Sequence, residues 1–169
     1  MPLTSDFGIT VSGTQTKVAD LSYPYDTLNW RRGVHLESGT TAGKADLRFT
    51  DTRTLNASAN ETLDLAGVLT DAFGAAITFA RIKFIAISAA SGNTNSVVVG
   101  ANGSNDWVGL LNAAGTLTLR PGATVCAMSG GADATGMAVT AGTGDLLKIA
   151  NSGAGTSVTY DIVIIGASA

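Results

Sequence analysis

Residues 76–111 read AITFARIKFIAISAASGNTNSVVVGANGSNDWVGLL, the longest dense apolar segment of the chain, broken by a polar turn and then resumed. Side chains alternate across a strand, so Ile82, Phe84 and Ala86 share one face. Arg81 and Lys83 take the other, followed there by Ile85 and Ile87. The strand is therefore amphipathic at its start and apolar on both faces at its end. Either a bulge shifts its register or its far end is covered on the outside as well as the inside. SGNTN breaks the run and SVVVGA resumes it. Asn102-Gly103 suits a type I′ turn, whose central positions need positive φ. That predicts a hairpin pairing Val97–Ala101 with Asp106–Leu111, Trp107 included.

Downstream, short apolar runs recur at roughly 8–12-residue spacing: TLTLRPG, ATVCAMS, MAVTAG, LLKIAN and SVTYDIVIIGA. Pro121-Gly122 and the segments SGGADATG, AGTGD and NSGAG between them carry turn chemistry. In the last run Val158, Tyr160, Ile162 and Ile164 alternate with Thr159, Asp161, Val163 and Ile165, apolar on both faces towards its end as in a central strand. Upstream, DLRFTDTRTL places Leu47 and Phe49 opposite Asp46, Arg48 and Thr50, a half-buried strand. ETLDLAG repeats the pattern with Leu63 and Leu65. Leu65, Val68, Leu69, Ala72 and Phe73 have helical spacing, with Asp64 to cap and Gly74 to stop, so one or two helical turns compete with an irregular crossing loop. About nine to eleven strands in two packed sheets are expected. The fold class is all-β, most economically a jelly-roll-like β-sandwich of short antiparallel strands over residues 45–169.

Residues 1–44 read differently. Phe7, Ile9 and Val11 alternate with Gly8, Thr10 and Ser12 as a short strand ending at Gly13. The following KVADLSYPYDTLNWRRGVHLESGTTAGKA shows no sustained period, yet this first quarter holds Phe7, Tyr23, Tyr25 and Trp30, four of the ten aromatics in the chain. Pro24 between two tyrosines fixes an extended or turning backbone. An extended N-terminal arm with many anchors is expected, packed on its own domain or on a neighbour. Its candidate contact residues are Tyr23, Tyr25, Trp30, Arg31 and Arg32.

The 169 residues suit one domain burying roughly 70% of its unfolded surface. Hydrophobic residues make up 45% and charged ones 14%, the reverse of a disordered chain. With net charge −3 and scattered Lys and Arg, no basic face is available for direct nucleic-acid binding. No apolar run reaches the roughly 18–20 residues of a membrane helix, and MPLTSDFGIT lacks the charged and apolar regions of a signal peptide. A soluble product of a reducing cytoplasm, with no membrane partner, is expected. The single cysteine, Cys126, admits no intrachain disulfide and reads as a buried strand thiol.

Chemistry is sparse. A nucleophile needs a base, and the one histidine, His35, lies in the arm. One Cys and one His do not make a zinc site. The carboxylates are dispersed; a pair such as Asp51 with Asp64 could meet across strands, but nothing assigns it an acid–base role. GTTAGKA (39–45) has three residues between its glycines where a phosphate loop needs four, and it precedes a strand. No catalytic residue, cofactor or metal is expected.

From GTTAGKADLRFTDTRTL through TLDLAGVLTDAFGAAITFARIKFIAI, GNTNSVVVGA and LRPGA to TAGTGDLLKIANSGAGTSVTYDIVIIGAS, the chain resembles a family of small virion proteins of tailed bacteriophages, the capsid decoration (cement) proteins. The resemblance covers most of the chain from about Gly39. It implies a non-enzymatic protein made in the host bacterial cytoplasm and carried on the outer capsid surface. There it binds the major capsid protein and bridges capsomers. Self-association is implied too, with a homotrimer favoured over a dimer. The alternative is a tail-fibre or head-spike module binding a host-surface glycan, with Trp107 beside its Asn-rich turn as the stacking residue. A cell-wall hydrolase ranks last for want of an acid–base pair.

Overall fold

The computed structural model describes residues 2–169. It is all-β, with no helix among the described residues. The strands are β1 (Ser5–Thr16), β2 (Tyr25–Ser38), β3 (Lys44–Ala45), β4 (Leu47–Leu55), β5 (Asn60–Asp64), β6 (Arg81–Ala89), β7 (Val97–Gly100), β8 (Thr116–Leu119), β9 (Thr124–Met128), β10 (Met137–Ala138), β11 (Leu146–Asn151) and β12 (Val158–Ala167). From β4 onward they form two antiparallel sheets. One runs β4-β12-β6, with β9 and β10 sharing the far edge of β6; the other runs β5-β11-β7-β8. The pairing is nested: β4 with β12, β5 with β11, β6 with β9 and β7 with β8.

A single apolar core lies between the sheets. Phe49, Ile85, Ile87, Val158, Tyr160, Ile162 and Ile164 come from the first sheet, and Leu63, Val97, Val99, Leu119, Leu147 and Ile149 from the second. Burial of such side chains from both inner faces is the main drive to fold. Where Tyr160 nears the edge its hydroxyl donates to Glu61 Oε1 at 2.9 Å. Glu61 Oε2 accepts from Arg53 Nε at 2.7 Å, and Arg53 also meets Asp51 at 2.7 Å. This polar clasp ties β4 to β5, and so one sheet to the other. Burial, then the bond to Glu61, pushes the Tyr160 phenol above its ordinary range.

The decisive stretch resolves both ways at once. Along β6 the ladder to β12 slips, Phe84 facing Ile165 but Ile82 facing Gly166, so Lys83 is the extra residue of a bulge. The slip puts Ile82 into the core with Ile85 and Ile87, and leaves Phe84 and Ala86 outside. A Cβ on Gly166 would meet Arg81 O at 2.3 Å, so the crossing of strands there requires glycine. Buried Lys83 donates from its ammonium to Asp133 O, and Arg81 reaches Ala134 O at 2.5 Å. Burial lowers the Lys83 pKa.

The expected hairpin does not form. Val97–Gly100 pairs with Thr116–Leu119 and not with residues 106–111. Instead the Asp106 carboxylate accepts from Asn102 N at 2.6 Å, and positive φ falls at Gly100, Ala101, Gly103 and Asn105, which makes a wide loop in place of a two-residue turn. The helical spacing after Asp64 yields turns. Asp64 caps Ala66 N at 3.0 Å, but Asp71 then gathers Phe73 N and Ala75 N, and Ile77 N bonds Leu69 O. Local Asp-to-backbone bonds outcompete a short helix. Cys126 is only half-buried, level with Ala86 on the outer face, and not a core thiol.

Ile87→Asp buries an unpaired carboxylate, at a cost comparable to a whole domain's stability of about 5–15 kcal/mol. It should abolish the cooperative melt followed by circular dichroism. Ala86→Asp, next door on the outer face, should lower the midpoint only modestly; equal losses would overturn this assignment of faces. Tyr160→Phe should cost about 1 kcal/mol. Because the raised folded pKa makes the folded state hold its proton longer, wild-type stability should fall as pH rises above 10.0, the unfolded value. In denaturant melts the Phe variant should lose that tyrosine's share of the alkaline slope.

Candidate functional site

The arm is a two-stranded ribbon. β1 and β2 pair antiparallel from Ser5↔Leu36 to Thr16↔Tyr25, and Lys17 N extends the ladder to Pro24 O at 3.0 Å. At about 3.3 Å per residue the ladder is on the order of 35 Å long. The expected irregular segment is thus a regular strand over Tyr25–Ser38. Leu28, Trp30, Val34 and Leu36 do share one parity, but Arg32 interrupts them and Gly33 adds a gap, which hides the period.

The root of the ribbon closes the outer face of the first sheet. Leu36, Ala45 and Ile165 form a second buried cluster, with Leu3, Phe7, Val34, Phe84 and Val163 packed against it. Phe7 stacks on Phe84 with ring centroids 4.7 Å apart. β3 pairs in parallel with the end of β2 and fixes the joint. Thus the surplus apolar face of β6 and β12 lies under the arm of the same chain.

Beyond the root the same ribbon face continues without cover. Its rungs are Ile9↔Arg32, Val11↔Trp30, Gly13↔Leu28 and Gln15↔Asp26. Val11, Leu28 and Trp30 are 46%, 53% and 40% exposed. The Arg32 guanidinium lies 5.3 Å from the Trp30 ring centroid, a cation–π contact. The opposite face is polar, with Thr10, Ser12, Thr14, Thr16, Asn29, Arg31 and Tyr25. At the tip Val18, Leu21 and Tyr23 are open to solvent.

The structure therefore separates the predicted contact residues. Trp30 and Arg32 share the apolar face, Arg31 and Tyr25 lie on the other, and Tyr23 sits in the tip. Trp107 belongs to none of these. It is 4% exposed, and its indole N–H donates to Ala138 O at 2.9 Å, so it offers no open ring for sugar stacking. Sequence reasoning missed Val11, Val18, Leu21 and Leu28, whose exposure depends on the ribbon standing clear of the sandwich.

Several other titratable groups make structural contacts. His35 Nδ1 is 2.8 Å from Asp6 Oδ1, and its Nε2 is 3.0 Å from Glu37 Oε1. Asp51 pairs with Arg53, while Asp64 caps its own loop. Among the described residues no cluster of three or more His, Cys, Asp or Glu is placed to hold a metal. Comparison with known proteins returns no match: no family model fits the chain, and no curated protein or solved structure is significantly similar to it.

The hydrogen bond to Asp6, then that to Glu37, raises the His35 pKa above 6.5. The pairing therefore supports the ribbon root below pH 6.5 and fades as pH rises through the raised value. As the one histidine of the chain, His35 gives a single imidazole signal for NMR titration. Its midpoint should lie above 6.5 and fall on Asp6→Asn; an unmoved midpoint would refute the contact.

Proposed function

We propose that this chain is a capsid decoration protein of a tailed bacteriophage. It binds the outer surface of the shell built by the major capsid protein, self-associates, and bridges neighbouring capsomers without catalysis. The observation that carries the reading is the exposed ribbon: a rigid root on the sandwich, then an arm bearing Trp30, Arg31, Arg32, Tyr25 and Tyr23. Aromatic residues and arginine are the side chains most enriched at protein interfaces. The work asked of them is mechanical. A contact that spans two capsomers shares the outward load of packaged DNA between them.

The sandwich is read as a jelly roll. Its support is the nested pairing, in which the first strand of the sandwich pairs with the last and the second with the next to last. This is the order produced by folding one long hairpin over itself into two Greek keys. The resemblance from Gly39 onward adds to this reading. The glycan-binding alternative loses Trp107, which is buried, and would have to rest on other exposed rings such as Tyr23, Tyr25 or Phe73.

Deleting residues 9–32 joins Phe7-Gly8 to Gly33-Val34, a Gly-Gly turn that preserves the packed root. The shortened protein should melt cooperatively within a few degrees of the parent. It should also lose at least about tenfold in affinity for purified shells lacking the protein, measured by co-sedimentation. Undiminished co-sedimentation would overturn the role of the ribbon. Binding to host cells, with none to shells, would favour the glycan reading.

A further inference from the structure

We propose that two copies of this chain pair through the apolar face of the distal ribbon, antiparallel about a two-fold axis. A two-stranded hairpin is at best marginally stable alone in water. Here the rungs from Ile9↔Arg32 outward have no sheet beneath them, although one face continues the apolar surface that is buried at the root. That face asks for a cover.

The order of side chains on it says which cover. Reading outward along β2, the face presents Arg32, Trp30, Leu28 and Asp26: a cation, two large apolar groups and an anion. Reversed, the column is its own complement. When two ribbons pack face to face and antiparallel, β2 of one lies over β2 of the other. Arg32 then meets the second copy's Asp26 at both ends, and Trp30 packs on Leu28 in the middle. The β1 column agrees, for Val11 falls over Gly13, around which a Cβ would find nothing within 4 Å. That open space takes up the bulk of the indole. The parallel alternative sets Arg32 over Ile9 and Asp26 over Gln15, and pairs no charge. A dyad contact must be self-complementary, and this column is so in the antiparallel sense alone.

The pairing covers Trp30 and Arg32, so in the paired state contact with a shell falls to Arg31 and Tyr25 on the opposite face and to Tyr23 at the tip. Its test uses the protein free of any shell and is separate from the test of capsid binding. Sedimentation velocity of the full chain, without shells, should show a dimer at micromolar concentration. Arg32→Asp and Asp26→Arg each set like charges against one another across the dyad. Either alone should weaken dimerisation by at least about tenfold. Mixing the two variants in equal amounts should restore the dimer as a heterodimer, because each chain then supplies the charge the other needs. Misfolded variants would not recover on mixing. A wild-type monomer at 100 μM (on the order of the weakest useful self-affinity), a trimer, or single variants as dimeric as wild type would each overturn the proposal. So would failure of the mixture to re-associate.

Discussion

Everything outside the core follows from one strand pair, β6 with β12, being apolar on both faces. β12 lies between β4 and β6 and buries Val158, Tyr160, Ile162 and Ile164 inward, yet it also carries Val163 and Ile165 outward. Opposite them, β6 slips by one residue at Lys83. Ile82 and Ile85 thereby both face the core, while Phe84 faces out. Without the slip, strict alternation would put Ile82 and Phe84 on the same side, and one of the two clusters would lose a member. Close approach at Gly166 is the geometric condition for the slip, and the extruded Lys83 holds the 129–136 loop in place. An outer face with Phe84, Val163 and Ile165 on it cannot be left to water, and the arm root covers it.

That arrangement makes the ribbon a lever with one fixed end. Its root has Phe7 on Phe84, Leu36 buried and β3 alongside. Its outer two-thirds has only the ladder between two strands. Local stability must therefore fall along the arm from root to tip, as it does wherever backbone pairing lacks packed side chains. A partner that covers the distal face supplies the missing packing. Its binding free energy is reduced by the ordering it imposes, and the preformed ladder keeps that cost small.

How much of this was legible depended on whether the signal was local. Period-2 runs such as Leu47–Phe49, Leu63–Leu65 and Val158–Ile164 read directly, and their burial follows the reading. The two-faced stretch at Ile82–Ile87 showed that something lay outside, but its cover is Leu3, Phe7, Val34 and Leu36, far away along the chain. The Asn102-Gly103 signal misled because Asp106 captures the two backbone amides and opens the turn. The helical spacing from Leu65 to Phe73 competed with a crossing loop, and the loop prevails for the same reason, with Asp71 as the capturing group. Trp107 looked exposed beside its polar turn, yet the turn stands at the end of the sandwich and the indole points into it. The exposed ribbon was half legible: the aromatics and arginines stood out, but their division between two faces required the register of β1 on β2.

The ribbon's chemistry also decides how it can recognise anything. An edge strand can recruit a partner through its free N–H and C=O groups, which any extended peptide satisfies. Recognition of that kind places little demand on which side chains the strand carries. Here the side chains are sorted strictly. Thr10, Thr14, Thr16 and Thr27, all β-branched and polar, line one face, where they favour the extended backbone while remaining solvated. Val11, Leu28, Trp30 and the stacked Arg32 line the other. Sorting of this sort suits the contact through the face that is proposed above. It also explains why the one large gap in the apolar column, at Gly13, lies beside the bulkiest residues and not at the root, where Phe7 and Val34 already fill the space.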